Sequence, residues 1–209
     1  MRRRIAFISE HASPLAVLGG VDAGGQNVYV AELAKYLSKM DSEVDVFTRW
    51  EDPSLPQVVD WMDKVRVVHI KAGPIKYIHK EGLLQYMTAF RKNMMRFMEL
   101  EDIMYDLVHA NFFMSALVAM ELKEIMDIPY VVTYHALGRV RRVHQKEADK
   151  FPIERFEIEE ETAARADRII AECEQDKEDL RNLYNADVSR LSIVPCGFCP
   201  SEFYPINQS

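Results

Sequence analysis

Short apolar runs alternate with longer amphipathic ones along the chain. Runs rich in Val, Ile, Leu and aromatic residues cover 5–9, 43–48, 65–70, 107–109, 130–134, 168–171 and 191–194. Polar or turn residues bound each of them, as they bound strands. Helical spacing fills the gaps. Over 82–98, Leu83, Met87, Phe90, Met94, Phe97 and Met98 share one face, with Arg91, Lys92, Arg96 and Glu99 opposite. Over 27–40, Val28, Val30, Ala31, Leu33, Ala34 and Leu37 form a second apolar stripe. Residues 52–63, with Pro53 and Pro56, read as an irregular excursion. The alternation predicts an α/β fold: one open, doubly wound, mostly parallel sheet with helices on both faces.

In such a sheet the ligand crevice lies outside the carboxyl ends of the strands, so the residues after each strand are the first site candidates. The first strand leads to Glu10, His11 and then Gly19-Gly20-Val21-Asp22-Ala23-Gly24-Gly25-Gln26-Asn27. A glycine-rich loop lets backbone N–H groups approach a ligand, and the helix that follows turns its positive end to the same place. That geometry suits a phosphate or diphosphate; a tight turn without a ligand is the alternative. Gly19 to Gly25 contain no G-x-G-x-x-G, and no Gly-Lys-Ser/Thr follows, so neither a dinucleotide fingerprint nor a P-loop is present. Later strands lead to Gly73, Pro74, Lys76 and Lys80, then to His109, Asn111 and Phe112. His135, Gly138, Arg139, Arg141 and Arg142 come next, with Arg155 on the helical segment beyond. Histidines and cations thus collect at one edge, where they would hold an anion through charge-assisted hydrogen bonds. A solvated basic rim, with His109 as a core histidine, is the plainer alternative.

Composition narrows the classes. With 209 residues, 48% of them apolar and 28% charged, the chain suits one soluble domain. A net charge of −7 argues against nucleic acid as a general partner. Met1-Arg2-Arg3-Arg4 begins like a signal peptide, but Glu10, His11 and Pro14 interrupt the apolar run. No run is long enough to span a bilayer, so a cytoplasmic protein without integral membrane contact is expected. Cys196-Gly197-Phe198-Cys199-Pro200 has C-x-x-C spacing, yet no helix follows and no second ligand pair exists. An incidental pair is therefore expected instead of a redox or zinc site, and no metal ligands are recognised. The acidic run Glu157, Glu159, Glu160, Glu161 reads as an exposed helix face. Eight of eleven methionines lie from Met87 to Met126 and read as flexible core filler in preference to a ligand groove.

Longer motifs carry a resemblance. Gly24-Gly25-Gln26-Asn27-Val28-Tyr29-Val30-Ala31-Glu32-Leu33-Ala34 and Val44-Asp45-Val46-Phe47-Thr48-Arg49 are similar to the opening of retaining family 4 glycosyltransferases. Gly73-Pro74, Lys76-Tyr77-Ile78, Asp106-Leu107-Val108-His109-Ala110-Asn111, Thr133-Tyr134-His135-Ala136-Leu137-Gly138-Arg139 and Ile193-Val194-Pro195-Cys196-Gly197-Phe198 continue it in the family's order. The nearest subgroup comprises sucrose-phosphate synthase, sucrose synthase and the mycothiol-pathway inositol-phosphate glycosyltransferase. The resemblance implies one half of a two-domain GT-B enzyme with Rossmann-like halves. Residues 1–196 would form the acceptor-binding domain, and 197–209 the start of a linker to a nucleotide-sugar-binding domain of the same polypeptide. It further implies metal-independent transfer with retention and no tightly bound cofactor, UDP-glucose or ADP-glucose being the donor. Residue by residue, Gly24 and Gly25 match the loop beside the donor diphosphate. Gln26, Asn27 and Asn111 match acceptor contacts, His135 the histidine at the donor sugar, and Lys80, Arg141 and Arg155 the grip on an acceptor phosphate.

The chain departs from the family pattern at several positions. Phe112 and Ala136 stand where inositol-phosphate enzymes carry a tyrosine and a threonine, Asn111 replaces a frequent histidine, and Cys199 replaces an aspartate. Leu137-Gly138-Arg139 leans towards the sucrose-phosphate side. The expected reaction is glucosyl transfer to a sugar phosphate, fructose 6-phosphate first, with inositol phosphate or a neutral sugar as alternative acceptors. A non-catalytic sugar-phosphate-binding module and a dehydrogenase-like domain are the other classes. The latter wants an acidic residue after the second strand, where Arg49 stands.

Overall fold

Strands buried on both faces must be apolar almost throughout, and the central runs of this chain are. The computed structural model describes residues 3–16, 24–199 and 203–205; residues 19–23 of the glycine loop and Pro200 lie outside them. The elements are β1 (Arg4–Ile8), α1 (Gly25–Lys39), β2 (Glu43–Arg49), β3 (Val58–Met62), β4 (Val65–Ile70), α2 (Met87–Leu100) and β5 (Leu107–Asn111). There follow α3 (Phe113–Met126), β6 (Tyr130–Thr133), α4 (Gly138–Gln145), α5 (Glu154–Arg165), β7 (Arg168–Ala171), α6 (Glu174–Tyr184) and β8 (Leu191–Ile193). They build one sheet in the order β3-β4-β2-β1-β5-β6-β7-β8. Every neighbouring pair is parallel except β3 with β4. The α/β, Rossmann-like, doubly wound sheet expected from the sequence is the one that forms.

Strand alternation divides the core. Ile5, Phe7, Val44, Val46, Val65 and Val67 point to one face and pack under Val30 and Ala34 of α1. Ala6, Ile8, Phe47, Val68 and Ile70 point to the other, beneath α2, α3, α5 and α6. Helix α3 is apolar on nearly every side because it lies between β5 and both α2 and α5. Met87, Met94, Met98, Met114 and Met120 are in this core, so these methionines act as filler.

Three expectations need correction. Residues 52–63 are not irregular throughout: Val58–Met62 forms an antiparallel edge strand, returned to β4 through Lys64 at φ 60°. Both prolines precede this strand, and an edge needs ladder bonds on one side only, so its side chains stay half-buried. The helix expected from Gly82 becomes α-helical only at Met87, after two 3-10 turns at Lys80–Gly82 and Leu84–Tyr86. Leu83 is still buried, but by the tighter turn. The preceding loop is pinned by Arg49, whose buried guanidinium donates to the carbonyls of Pro74 (2.9 Å) and Lys76 (2.5 Å). At Gly73, φ is +77°, and a Cβ would stand 2.6 Å from the Tyr86 ring, so only glycine fits.

The acidic run on α5 is not a uniformly exposed face. Glu159 is fully buried and bonds Arg155 Nε one turn earlier at 2.7 Å. Its carboxylate also accepts the Gly138 N–H with both oxygens (3.1 and 2.9 Å) and the Tyr184 hydroxyl at 2.5 Å. Arg155 in turn donates to the Ala136 carbonyl at 2.5 Å and lies 4.7–4.9 Å from the rings of Phe112, Phe113 and Phe151. Burial raises the Glu159 carboxyl above its ordinary value, against the pull of Arg155, Tyr184 and Gly138. One ion pair thus ties the segments after β5 and β6 to α5 and α6.

A Cβ on Gly138 would sit 2.8 Å from Arg155 Nε and 2.9 Å from Glu159 Oε2, whereas one on Gly82 meets nothing nearer than Ile78 Cγ2 at 3.6 Å. Gly138→Ala is expected to lower stability in urea unfolding by about 1–3 kcal/mol, the usual cost of overpacking, and Gly82→Ala to leave it nearly unchanged.

Candidate active site

Chain order reverses between β1 and β5: the sheet grows outwards to β2, β4 and β3 on one side, then to β6, β7 and β8 on the other. Beyond the carboxyl ends of this central pair lies the crevice that open α/β sheets use for ligands. Gln26, in the first turn of α1, spans it, donating to Ser9 Oγ after β1 (3.1 Å) and to the Asn111 carbonyl ending β5 (3.3 Å). Asn27 folds back on its own helix start, accepting the Gly24 N–H at 2.9 Å and donating to the Ser13 carbonyl at 2.9 Å. Neither Gly24 nor Gly25 is glycine for the sake of the fold. A Cβ on either meets nothing within 4 Å, and the extended backbone at Gly24 is open to any residue.

Asn111 is fully buried. Its Nδ2 faces the carbonyls of Ile8 (3.4 Å) and His109 (3.3 Å), which turns Oδ1 to His135 Nε2 at 3.1 Å. The other ring nitrogen of His135 stands 3.3 Å from Glu172 Oε1, just after β7. The Tyr29 ring from α1 meets the His135 ring edge to face at 4.8 Å. The imidazole is thus held from three elements, with its side chain 12% exposed. Its backbone is left-handed at φ 59°, and Phe112, the first residue after β5, has φ 84° and ψ 163°. Each such conformation costs about 1–3 kcal/mol in a non-glycine residue, and such strain gathers at functional sites.

The cations divide. Arg141 on α4 pairs with Asp149 at 3.2 Å and lies 5.2 Å from the Phe151 ring, which Arg155 also approaches at 4.7 Å. The structure therefore brings Arg141 and Arg155 to one aromatic ring. Burial opposes ionisation of Asp149, but the Phe151 N–H, Arg141 and Arg142 outweigh it and hold the carboxyl below its ordinary value. Lys80 is half-buried in the excursion that follows β4, on a different segment from the two arginines. Near the entrance His11 Nδ1 meets the buried Glu10 at 2.8 Å, and the Ser115 hydroxyl donates to the same carboxylate.

Other candidates settle differently. His109 is in the core, bonded through Nε2 to Thr133 Oγ1 at 2.9 Å and packed edge-on against Phe7. Cys196 donates to Glu172 at 3.1 Å; partial burial and that carboxylate push its thiol up to about 11, so it makes a poor nucleophile. Among the described residues no cluster of three or more His, Cys, Asp or Glu is placed to hold a metal, and no helix is long and apolar enough to cross a membrane. A 570 Å³ hollow at the opposite end of the sheet is lined by Arg66, Asp45 and Tyr105, already bonded to one another. Sequence reading missed Tyr29, Glu159 and Glu172. Glu172 was within reach, because it is the first residue after its strand, the rule that selected the others.

The chain belongs to glycosyltransferase family 4, whose model matches residues 23–202. It is 37% identical to a D-inositol 3-phosphate glycosyltransferase of Corynebacterium aurimucosum, over 93% of this chain and 46% of that protein. It is 36% identical to one of Xylanimonas cellulosilytica, over 97% of this chain and 49% of that protein. The solved sucrose-phosphate synthase of Thermosynechococcus elongatus superposes with a TM-score of 0.90 at 32% identity, over 98% of this chain and 51% of that one. The chain thus spans about half the length of the curated relatives it matches.

Because burial lowers the His109 pKa to about 3, the folded chain keeps this ring neutral, while in the unfolded chain it titrates near 6.5. The unfolded state then binds the extra proton, so stability is fully present above about pH 6.5 and falls by about 1.4 kcal/mol per unit as pH drops towards 3. Urea unfolding from neutral to mildly acidic pH is expected to show this slope, and His109→Gln to lose that share of it.

Proposed function

We propose that this chain is the acceptor-binding half of a retaining glycosyltransferase, which moves a glucosyl group from UDP- or ADP-glucose to a phosphorylated sugar, fructose 6-phosphate first. The observation that carries the reading is the arginine pair at Phe151. Arg155 Nη1 is buried without a hydrogen-bond partner among the described residues, while Nε is taken by Glu159 and Nη2 by the Ala136 carbonyl. A phosphate oxygen reaching the edge of the sheet beside Arg141 would supply that acceptor. The names of the relatives agree on this chemistry, one ending in a sucrose phosphate and the other starting from an inositol phosphate.

In the reaction the acceptor hydroxyl forms a bond to the donor's anomeric carbon as the bond to the nucleoside diphosphate breaks, and the leaving phosphate takes the hydroxyl proton. Gln26 and Asn27 orient the acceptor over the switch point, with Asn111 fixing the floor beneath it. Gly24 and Gly25 leave room for the diphosphate, and His135 stands at the donor sugar. The nucleotide is held by a second domain of the same polypeptide, with residues 197–209 leading towards it. Transfer needs no metal, and it takes place in the cytoplasm. D-inositol 3-phosphate is the second acceptor to weigh, on the strength of the 37% identity; Phe112 and Ala136, without hydroxyls, count against it.

Calorimetric titration of the chain with fructose 6-phosphate, D-inositol 3-phosphate and fructose tests the reading. Lys80→Ala and Arg141→Ala are expected to weaken fructose 6-phosphate by about one to two decades, the worth of a charge-assisted bond, and to leave fructose unchanged. Arg155→Ala is the wrong probe, because it strands Glu159 in the core. Equal affinity for fructose and its phosphate would remove the phosphorylated acceptor, and tighter inositol phosphate would select the second one. The chain alone is expected to transfer no sugar from UDP-glucose.

A further inference from the structure

The His135 ring has an acceptor at each nitrogen: Glu172 Oε1 3.3 Å from Nδ1 and Asn111 Oδ1 3.1 Å from Nε2. The amide orientation is not free. Turning Asn111 over would set its oxygen against the carbonyls of Ile8 and His109, which its Nδ2 now faces. Glu172 is equally constrained. Its N–H donates to Asp176 Oδ2 at 3.1 Å, and its carboxylate also accepts from Cys196 at 3.1 Å. The groups facing His135 come from every neighbouring element: Tyr29 from α1, Asn111 and His109 from β5, Glu172 after β7, Asp176 from α6, and Cys196 after β8 through Glu172. Among them Glu172 is the one charged acceptor placed on the ring.

We propose that Glu172 is a positioning residue: it takes the Nδ1–H of His135 and, with Asn111 at Nε2, locks the imidazole in one orientation beside the crevice. The proposal rests on the reading of His135 as the group at the donor sugar. A ring carrying a proton on both nitrogens makes both bonds at once, and the Glu172 carboxylate then supplies its counter-charge. The His135 imidazole, opposing the effect of burial, holds the Glu172 carboxyl below its ordinary value. A left-handed histidine has a strained backbone, and Glu172 adds a second hydrogen bond to that of Asn111 in holding its ring in place. Cys196 donates to the same carboxylate and fixes which way it points.

Nitrogen-15 NMR of the His135 ring in the 209-residue chain tests the latch directly. The wild-type ring is expected to show Nδ1 as a slowly exchanging N–H nitrogen, and Glu172→Ala to lose that signal. Glu172→Gln, which keeps an acceptor and the side-chain shape, is expected to restore the ring position, and it covers the case in which the alanine variant folds poorly. Unchanged ring signals in both variants overturn the proposal. In the full-length polypeptide Glu172→Ala is expected to lower kcat by roughly tenfold to a hundredfold with little change in KM. On a His135→Ala background it is expected to do nothing further. An equal loss on both backgrounds also overturns the proposal, because Glu172 would then act without the histidine. If the full-length polypeptide transfers no sugar at all, the functional reading fails, while the ring spectra still decide the role of Glu172.

Discussion

The buried Arg155–Glu159 pair is the constraint on which the rest of the molecule's working edge depends. Two charges taken from water are costly unless their remaining donors and acceptors are met. Here Glu159 is met by the Gly138 N–H and the Tyr184 hydroxyl, and Arg155 by the Ala136 carbonyl and three aromatic rings. Each partner belongs to a different segment. The pair therefore dictates where the chain runs after β5 and β6, and no apolar replacement would do this, because dispersion has no direction. Gly138 is glycine for the same reason: its missing side chain is the room that the ion pair occupies.

From that hub the strained residues follow. Phe112 leaves β5 at positive φ with its ring over Arg155, and His135 follows β6 at positive φ one residue before the Ala136 carbonyl that Arg155 holds. Strain of this kind persists only where the surroundings over-determine it, which the ion pair and the rings do. The outcome is a sheet edge carrying a fixed histidine, an amide bridge at the switch point, and two arginines around one ring. A fixed edge of donors suits an anionic acceptor better than a mobile one, because less ordering is left to the moment of binding.

Much of this was legible in the sequence, for physical reasons. Parallel strands buried on both faces need continuous apolar runs, so seven of the eight strands stood out. The eighth, β3, did not, because Asp60 interrupts its short apolar run and the two prolines before it read as loop. The rule that sites follow strand ends led to Gln26, Asn111 and His135, which the structure joins by hydrogen bonds, and to Arg141, which meets Arg155 at Phe151. Glu159 was hidden because four carboxylates within one helix look alike in sequence. Of these four, only the position one turn after Arg155 is buried, with its pairing arginine buried beside it. Partners contributed by distant segments, such as Tyr184 to Glu159, leave no local trace at all.

The central claim is that the carboxyl edge between α1 and α5 receives a sugar phosphate. Amide chemical-shift mapping of the isotope-labelled chain during titration with fructose 6-phosphate tests it most directly. The account predicts shifts gathered at Gln26, Asn27, Lys80, Asn111, His135 and Arg141, together with the side-chain resonance of Arg155. Shifts centred on the groove of Met95, Met104 and Met126, or on the hollow around Arg66 at the far end of the sheet, would contradict it.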